Sequence, residues 1–400
     1  MSSSTLGDNF PALMAATEQL APLIEEDAKE AERLSRQTDR VVAALRKAGI
    51  YSMLLPRELG GSELAFADAM RIVERLSWAD GSAGWCTMVA NVQAASAGAH
   101  LPTEGARTVY GNGPDVSMAG QGVPSGRARR VPDGYVVAGR WSYGSGIHHA
   151  DWVHSGCIVM DGDQPARGAD GAPEITVVHH PKSSITLLGN WDVLGLRGTG
   201  SFDYALKEGE LFVPASLCYP SDATTPHHGG RQYEVGIVGF TSWGHTGWAL
   251  GVSRRILDEL ARIARERRDV FGRLADSPTF RKSFAEAEAR YRAARAFVYE
   301  SWDVIDRAAS ANQVASLELI ALIRLAMRHL HDVLSEIATF AHRTARGASL
   351  RNGTLQRCYR DAHSGTQHIL LADEIVAECG RVLLGITGPT AYWTLFAVRE

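Results

Sequence analysis

The sequence has few cysteines, no long apolar run and no basic cluster, and each shortage excludes a class of protein. Its five cysteines are widely spaced and form no Cys-x-x-Cys pair, so we expect a reduced protein with buried thiols. Because no run of about 18 apolar residues is present, no segment is expected to span a membrane. The 41 basic and 45 acidic residues are mixed along the chain, which predicts neither nucleic acid nor an anionic membrane as a partner.

Familiar motifs are missing as well. Gly-x-Gly-x-x-Gly after a strand, Walker A, His-Glu-x-x-His and Gly-x-Ser-x-Gly do not occur, so neither a doubly wound sheet nor a common hydrolase site is expected. Three adjacent histidine pairs, at 148–149, 179–180 and 227–228, invite a metal site. Neighbours on a strand point to opposite faces and offer one ligand at best, so no metal is expected. The N-terminal residues lack a charged and then apolar leader, which predicts a cytoplasmic protein.

What the sequence does contain is a large apolar fraction arranged in three blocks. Hydrophobic residues make up 45% of the chain and charged residues 22%, enough to bury a large core. The patterns predict an α+β protein with a helical domain over 1–112, a β-sandwich or barrel over 113–230 and a four-helix bundle over 231–400. Long helices in the last block are typical of a subunit interface.

Periodicity gives approximate bounds for individual elements. Apolar residues at helical spacing predict helices over 20–48, 62–76, 244–274, 280–308 and 317–346. Alternating runs predict strands over 134–139, 152–160, 175–179 and 184–188. Ser62 and Asp80 are expected to cap helices at their start, and Gly347 to end one.

Three stretches together resemble one family. Residues 54–61 (LLPRELGG), 195–201 (GLRGTGS, followed by LFVP at 211–214) and 359–362 (YRDA) are similar to segments of the acyl-CoA dehydrogenase superfamily. The block order of helices, strands and helices agrees with that superfamily. The resemblance implies its three-domain fold and a homotetramer.

Further stretches resemble one branch of that superfamily, the two-component flavin-dependent monooxygenases. These are 79–85 (ADGSAGW), 124–135 with 139–146 (GRWSYGSG), and 360–368 (RDAHSGTQH). The branch takes reduced FMN or FAD from a separate NAD(P)H:flavin reductase and activates oxygen as a flavin C4a-hydroperoxide. The resemblance therefore implies hydroxylation of an aromatic small molecule of phenolic, indolic or polyketide type.

The sequence departs from the dehydrogenases where their catalytic base is expected. A dehydrogenase needs a carboxylate to remove a proton next to a thioester. Alignment on 360–362 puts Ile369 at that place, with Asp373 and Glu374 a further turn along. Three alternatives stay open: a dehydrogenase with its base on another helix, an N-oxygenase acting on an amine or amino sugar, and a catalytically silent assembly protein.

Three residues are predicted to be catalytic. Ser145 lies between glycines, which allow a close approach to an aromatic cofactor, and its hydroxyl both donates and accepts. His368 can accept or return a proton near neutral pH, and related hydroxylases place a histidine here beside flavin and substrate. His363 lies one turn earlier and is the second candidate.

The resemblance also implies binding residues. Those predicted to contact the flavin are Trp141, Tyr143, Ser145, Gly146 and Arg268. Arg268 matches an arginine that reaches the flavin phosphates, often across a subunit boundary, and a guanidinium suits phosphate. Those predicted to line the substrate side are Asn91, Gln93, Trp243 and Trp248.

Overall fold

The computed structural model describes residues 9–168, 171–270, 272–386, 392–393 and 398–399. The expected order of helical domain, sheet and helical domain is confirmed. The first helical domain contains α1 (Phe10–Leu34), α2 (Asp39–Lys47), α3 (Phe66–Ala79), α4 (Gly81–His100) and α5 (Thr103–Tyr110). Asp80 caps α4 as predicted, since its carboxylate accepts from the backbone N–H of Ala83 at 2.9 Å.

The helix predicted over 20–48 is two helices. It breaks at Ser35, whose φ of 50° is left-handed, and α2 begins four residues later behind the cap residue Thr38. The buried carboxylate of Asp27 accepts hydrogen bonds from Thr38 and Arg40. This long-range bonding holds the turn, and apolar spacing alone does not reveal it.

The predicted start of α3 at Ser62 is also wrong. The helix begins at Phe66, where its first free N–H groups are bonded by a residue distant in sequence. The carboxylate of Asp306 accepts from the N–H of Phe66 and of Ala67, both at 2.8 Å. Burial raises the pKa of Asp306 to about 7, and these two hydrogen bonds act against that rise.

The middle domain is one continuous sheet of eight strands in its described residues. The strands are β1 (Met118–Val131), β2 (Gly134–Gly144), β3 (Trp152–Asp161), β4 (Gln164–Pro165), β5 (Ile175–Pro181), β6 (Ile185–Leu187), β7 (Phe202–Pro214) and β8 (Cys218–Pro220). The order is β6-β7-β2-β1-β3-β5-β8, with β4 paired to β3. Its apolar core includes Trp141, Val153 and Tyr204 and also takes in residues of α4 and α5, such as Ala97 and Ala106.

The second helical domain is a bundle whose first helix begins at Gly236, earlier than the predicted residue 244. Its elements are α6 (Gly236–Glu266), a short hairpin of β9 (Arg268–Asp269) and β10 (Gly272–Arg273), α7 (Pro278–Ser310), α8 (Leu317–Ala345), α9 (Gly347–Leu350), α10 (Thr354–Gly365) and α11 (Asp373–Leu383). Residues Tyr392–Trp393 and Val398–Arg399 form the paired strands β11 and β12. The hairpin ends the helix predicted to reach residue 274. The expected glycine stop is also displaced, because Arg346 takes the positive φ of 48° and Gly347 opens α9.

None of the described helices is long and apolar enough to cross a membrane.

Helix α6 lies unusually close to α3 because glycine occupies the crossing point. A Cβ atom at Gly251 would overlap the carbonyl oxygen of Glu74 and the backbone of Trp78 on α3. A Cβ at Gly247 would contact Met70 and Val73. The two helices therefore meet backbone to backbone, and this contact sets how α6 is positioned against the first helical domain.

Replacing Gly251 tests this packing. Gly251→Ala should lower the free energy of unfolding by about 2 kcal/mol or more, because an added methyl group forces the two helices apart. Gly380→Ala on α11 is the matched control, since a Cβ there meets nothing within 4 Å and alanine favours a helix. Urea unfolding followed by circular dichroism measures both. Equal effects of the two substitutions would contradict the close contact.

Candidate functional site

The predicted serine lies on a sharp turn at the end of β2. Tyr143 and Gly146 both have positive φ, of 64° and 72°, so the chain reverses within four residues. The Ser145 N–H donates to the carbonyl of Tyr143 at 2.8 Å, and the Gly146 N–H to the carbonyl of Thr199 at 2.9 Å. The turn is thus tied to the segment before β7, and the Ser145 hydroxyl points inwards.

A directional chain of hydroxyl groups runs through Ser145. Thr199 donates to the carbonyl of Leu196 at 2.8 Å, so Ser201, 2.7 Å away, must donate to Thr199. Ser145 lies 2.7 Å from Ser201 and therefore donates to it, while the indole N–H of Trp85 donates to Ser145 at 3.1 Å. A hydroxyl has one hydrogen and two lone pairs. Ser145 consequently keeps one lone pair free and has no hydrogen left to give.

The predicted histidine lies on the opposite side of Trp85. Helix α10 ends at Gly365, so His368 is not on it but caps the short turn Ile369–Leu371. Its Nδ1 accepts from the N–H of Leu370 at 3.3 Å. Its ring centroid is 5.8 Å from Trp85 and 4.1 Å from His245 on α6.

Two further histidines complete the group and were not predicted. His245 and His331 are almost fully buried, and neither His245 Nδ1 nor His331 Nε2 has a hydrogen-bond partner among the described residues. The Nδ1–H of His331 donates to the carbonyl of Met327 at 2.8 Å, which fixes the free Nε2 as an acceptor. The ring centroid of Trp248 lies 5.1 Å from that of Trp85 and 6.0 Å from that of His331.

We refer to these side chains as the Trp85 cluster, comprising Trp85, Ser145, His245, Trp248, His331 and His368. Burial lowers the pKa of His331 and of His368 to about 4, and that of His245 well below its usual value. All three imidazoles are therefore neutral at pH 7. The cluster offers lone pairs and aromatic surface but no formal charge.

The structure brings Ser145, His368 and Trp248 together, keeps Tyr143 and Gly146 on the Ser145 turn, and places His363, Trp141 and Arg268 elsewhere. His363 lies outside the cluster, against Tyr359 with ring centroids 4.6 Å apart. Trp141 is in the core of the sheet, where its indole N–H donates to the carbonyl of Gly156 at 2.7 Å. Arg268 is exposed on the β9–β10 hairpin.

The predicted substrate-side residues on α4 make structural hydrogen bonds. Asn91 donates to the carbonyls of Ile50 and Thr87 at 2.9 and 3.0 Å, and Gln93 donates to the carbonyl of Gly120 at 2.9 Å. Trp243 is fully buried, and its indole N–H has no partner within the described part of the chain. Their roles in binding stay predictions.

No carboxylate in the described residues hydrogen-bonds to the Trp85 cluster. Ile369 is partly exposed, Asp373 pairs with Arg328 at 2.7 Å, and Glu374 faces solvent. The nearby Asp361 accepts from the N–H of Leu196 at 2.6 Å, and burial raises its pKa to about 7.

The site residues that were not predicted have only weak indications in the sequence. His245 and Trp248 are three apart on one helix and so share a face. Ser201 ends the glycine-rich stretch that supported the family resemblance. His331 lies two residues from His329 and does not share a helix face with it, so the two histidines form no local pattern, and the partners of His331 lie on other helices. Such contacts are set by tertiary packing and have no local pattern.

The surface beside Ser145 suits a flat amphipathic cofactor. Tyr143 is 64% exposed and Leu194 58% exposed, although both are large and apolar. The ring of Trp191 lies edge-on to Tyr143 with centroids 6.3 Å apart. An isoalloxazine placed here would cover exposed apolar surface next to the Ser145 turn, so the residues present fit a flavin.

Comparison with known proteins identifies the family and the fold of this chain. The family model "Acyl-CoA dehydrogenase, N-terminal domain" matches residues 13–110, and "Acyl-CoA dehydrogenase, C-terminal domain" matches residues 243–373. The chain is 32% identical over 382 residues to the indole-3-acetate monooxygenase of Pseudomonas putida, covering 95% of this chain and 94% of that one. It is 28% identical to the oxygenase component of an FADH(2)-dependent resorcinol hydroxylase of Rhizobium sp., covering 92% of each. The HsaA monooxygenase of M. tuberculosis superposes with a TM-score of 0.85 at 24% identity, covering 94% and 97% of the two chains.

The buried imidazoles predict how stability depends on pH. Their pKa values are lower in the folded protein than the usual 6.5, so the unfolded chain binds more protons and stability falls as the pH is lowered from about 6.5 towards 4. His331→Gln removes one of these groups and can still donate to Met327. The slope of unfolding free energy against pH should become shallower by up to about 1 kcal/mol per pH unit near pH 5.

Urea unfolding between pH 4.5 and 7.5 measures this slope. His329→Gln, two residues away and exposed, is the matched control and should keep the wild-type slope. Equal slopes of unfolding free energy against pH for His331→Gln and the wild type would mean that His331 binds protons equally well in the folded and the unfolded protein, which would contradict the prediction.

Proposed function

This chain belongs to the acyl-CoA dehydrogenase superfamily, in the branch of the flavin-dependent monooxygenases, and we propose that it is the oxygenase component of a two-component system. It uses reduced FMN or FAD and O₂ to hydroxylate an aromatic small molecule. The observation that carries this proposal is the free lone pair of Ser145 at the end of a closed hydroxyl chain.

That lone pair favours the reduced state of the cofactor. Reduced isoalloxazine carries an N–H at N5, whereas the oxidised ring has a lone pair there. Because Ser145 already donates to Ser201, it accepts a hydrogen bond from the reduced ring and repels the oxidised one. This preference supports delivery of reduced flavin by a separate NAD(P)H:flavin reductase. The residues that hold the flavin are Ser145 and the turn from Tyr143 to Gly146.

When bound, the flavin supplies the two electrons that activate O₂ for transfer of one oxygen atom. The chain supplies the surroundings. Trp85 and Trp248 close the cluster with aromatic surface and exclude water, which would divert the reaction to hydrogen peroxide. His368 is neutral at pH 7, so it accepts the proton that the substrate releases on hydroxylation. His245 contacts the His368 ring and restricts its orientation.

The absence of charge in the cluster supports an aromatic ring as the oxygenated group. A protonated amine or amino sugar would need a carboxylate, and none among the described residues hydrogen-bonds to the cluster. An uncharged ring loses little on leaving water and gains contact with the two indoles. The indole and resorcinol in the names of the two relatives are rings of this kind.

We also propose that the protein works as a homotetramer in the cytoplasm. Large apolar side chains stand in solvent on the second helical domain, with Leu350 and Leu384 each 76% exposed and Ile386 63% exposed. Exposed large apolar side chains support contact with another copy. Four copies are what the family resemblance implies.

The proposal is tested by supplying chemically reduced FMN anaerobically, admitting O₂ with phenol, resorcinol or indole-3-acetate present, and counting hydroxylated product and hydrogen peroxide. The wild type should form product with at least one of them. His368→Ala should lower the product formed per flavin at least about tenfold and raise peroxide release, because the proton acceptor is lost.

The control and the contrary result are both direct. His329→Ala, an exposed histidine on α8, should leave product yield and the tetramer mass by light scattering unchanged. Oxidised flavin that bleaches on addition of an acyl-CoA thioester, with no product from reduced flavin and O₂, would assign the chain to the dehydrogenases instead.

The direction of the hydroxyl chain gives a second prediction. Ser201→Ala frees the hydrogen of Ser145 to donate to the oxidised ring, so the preference for reduced over oxidised FMN should fall about fivefold, the value of one neutral hydrogen bond. Anaerobic and aerobic titrations give the two dissociation constants. Ser155→Ala removes a buried hydroxyl inside the sheet and should leave their ratio unchanged. An unchanged ratio for Ser201→Ala would show that Ser145 does not set the preference.

A further inference from the structure

Leu196 holds a backbone conformation that few bulky residues adopt. Its φ is 54° and its ψ 31°, in the left-handed region, and its side chain is buried. That region is costly for a residue with a Cβ atom and is kept only where the surroundings enforce it. Contacts from other parts of the chain must therefore fix the Leu196 backbone.

Helix α10 supplies those contacts. The carboxylate of Asp361 accepts from the N–H of Leu196 at 2.6 Å, and Arg360 donates to the carbonyl of Leu194 at 3.0 Å. Between them, a Cβ atom at Gly195 would come within 2.3 Å of the Arg360 backbone, so this loop lies directly on the helix. Asp361 is 1% exposed, and its Oδ2 has no hydrogen-bond partner in the described part of the chain. The carboxylate thus binds the loop through Oδ1.

The carbonyl of Leu196 is the end point of the hydroxyl chain. It accepts from the hydroxyl of Thr199 at 2.8 Å and from the N–H of Thr199 at 3.1 Å. Because Thr199 donates here, Ser201 donates to Thr199 and Ser145 donates to Ser201, which leaves a lone pair of Ser145 open. If Leu196 relaxed to a negative φ, its carbonyl would turn away from Thr199. The order of donors would then no longer be fixed.

The same carbonyl also reaches the surface that suits a flavin. The indole N–H of Trp191 lies 3.3 Å from the carbonyl oxygen of Leu196 and 3.2 Å from that of Arg197. The Trp191 ring lies edge-on to the exposed ring of Tyr143. A change at Leu196 would therefore disturb both the hydroxyl chain and the aromatic surface beside it.

We propose that Asp361 is a positioning residue for the flavin site. By accepting from the Leu196 N–H it holds Leu196 in the left-handed conformation, and the Leu196 carbonyl then sets the direction in which Ser145 donates. This rests on the proposed function, since it gives Asp361 a part in the preference for reduced flavin. Burial raises the pKa of Asp361 to about 7, and a neutral carboxyl group still presents an acceptor oxygen. The acceptor is needed, and the charge is not.

The test compares the dissociation constants of reduced and oxidised FMN, measured in anaerobic and aerobic titrations. Asp361→Ala should lower the preference for reduced FMN about three- to fivefold, because Leu196 relaxes and Ser145 becomes free to donate. Fivefold corresponds to a fall of about 20 mV in the midpoint potential of the bound two-electron couple, which equilibration with a redox dye measures independently. Asp361→Asn keeps an acceptor oxygen and should retain the wild-type ratio.

A double variant separates positioning from a general loss of structure. Ser201→Ala already frees the hydrogen of Ser145, so adding Asp361→Ala should change the ratio no further. In the protein without flavin, hydrogen exchange followed by mass spectrometry should become faster over residues 194–201 in Asp361→Ala and stay unchanged in Asp361→Asn. Asp373→Ala removes an exposed carboxylate from α11 and is the control that should alter neither the ratio nor the exchange.

Asp361→Leu fills a similar volume without an acceptor, so it replaces the alanine variant if that one does not fold, and it should lower the ratio equally. Three results would overturn the proposal: an unchanged ratio in folded Asp361→Ala or Asp361→Leu, a lowered ratio in Asp361→Asn, or additive effects of Asp361→Ala and Ser201→Ala. Each of them leaves the proposed oxygenase intact. Failure of the oxygenase would appear instead as no product from reduced flavin and O₂ in the wild type.

Discussion

The close contact of α6 with α3 determines where the side chains of the candidate site lie. At Gly251 and Gly247 the backbone of α6 lies directly against α3, and a Cβ at Gly244 would overlap Met88 on α4. With no side chain to separate the helices, α6 packs close enough for Trp248 to contact Trp85. Ser145, on a loop of the sheet, then meets Trp85 from the other side. One small-residue contact thus aligns parts of all three domains.

Burial decides the chemistry of the group that this contact assembles. Three imidazoles within one cluster could share a positive charge if water reached them, but desolvation outweighs that and keeps each one neutral. The hydroxyl chain adds direction, because its last member donates to the carbonyl of Leu196 and every earlier donor is then assigned. A neutral base and an oriented acceptor are therefore prepared before any ligand arrives.

Much of the fold could be predicted, and the misses have physical causes. Strands β3, β5 and β6 are rich in β-branched residues and, like β2, fall where alternation predicts them. By contrast, β1 (MAGQGVPSGRARRV) has only two valines and no regular alternation, and it becomes a strand because β2 and β3 pair with it on either side. The start of α3 depends on Asp306, 240 residues away, and the end of α6 on a hairpin. Local patterns cannot show partners that are distant in the chain.

The site was predictable to the extent that a residue's role depends on its own loop. Ser145 is presented by flanking glycines. His368 was predicted from the family resemblance, and both residues contact Trp85 in the structure. Trp141 and Arg268 were also predicted from the family resemblance, yet Trp141 lies in the core of the sheet and Arg268 is exposed to solvent. His245 and Trp85 could not be chosen from the sequence, because their significance arises only when α4 and α6 meet.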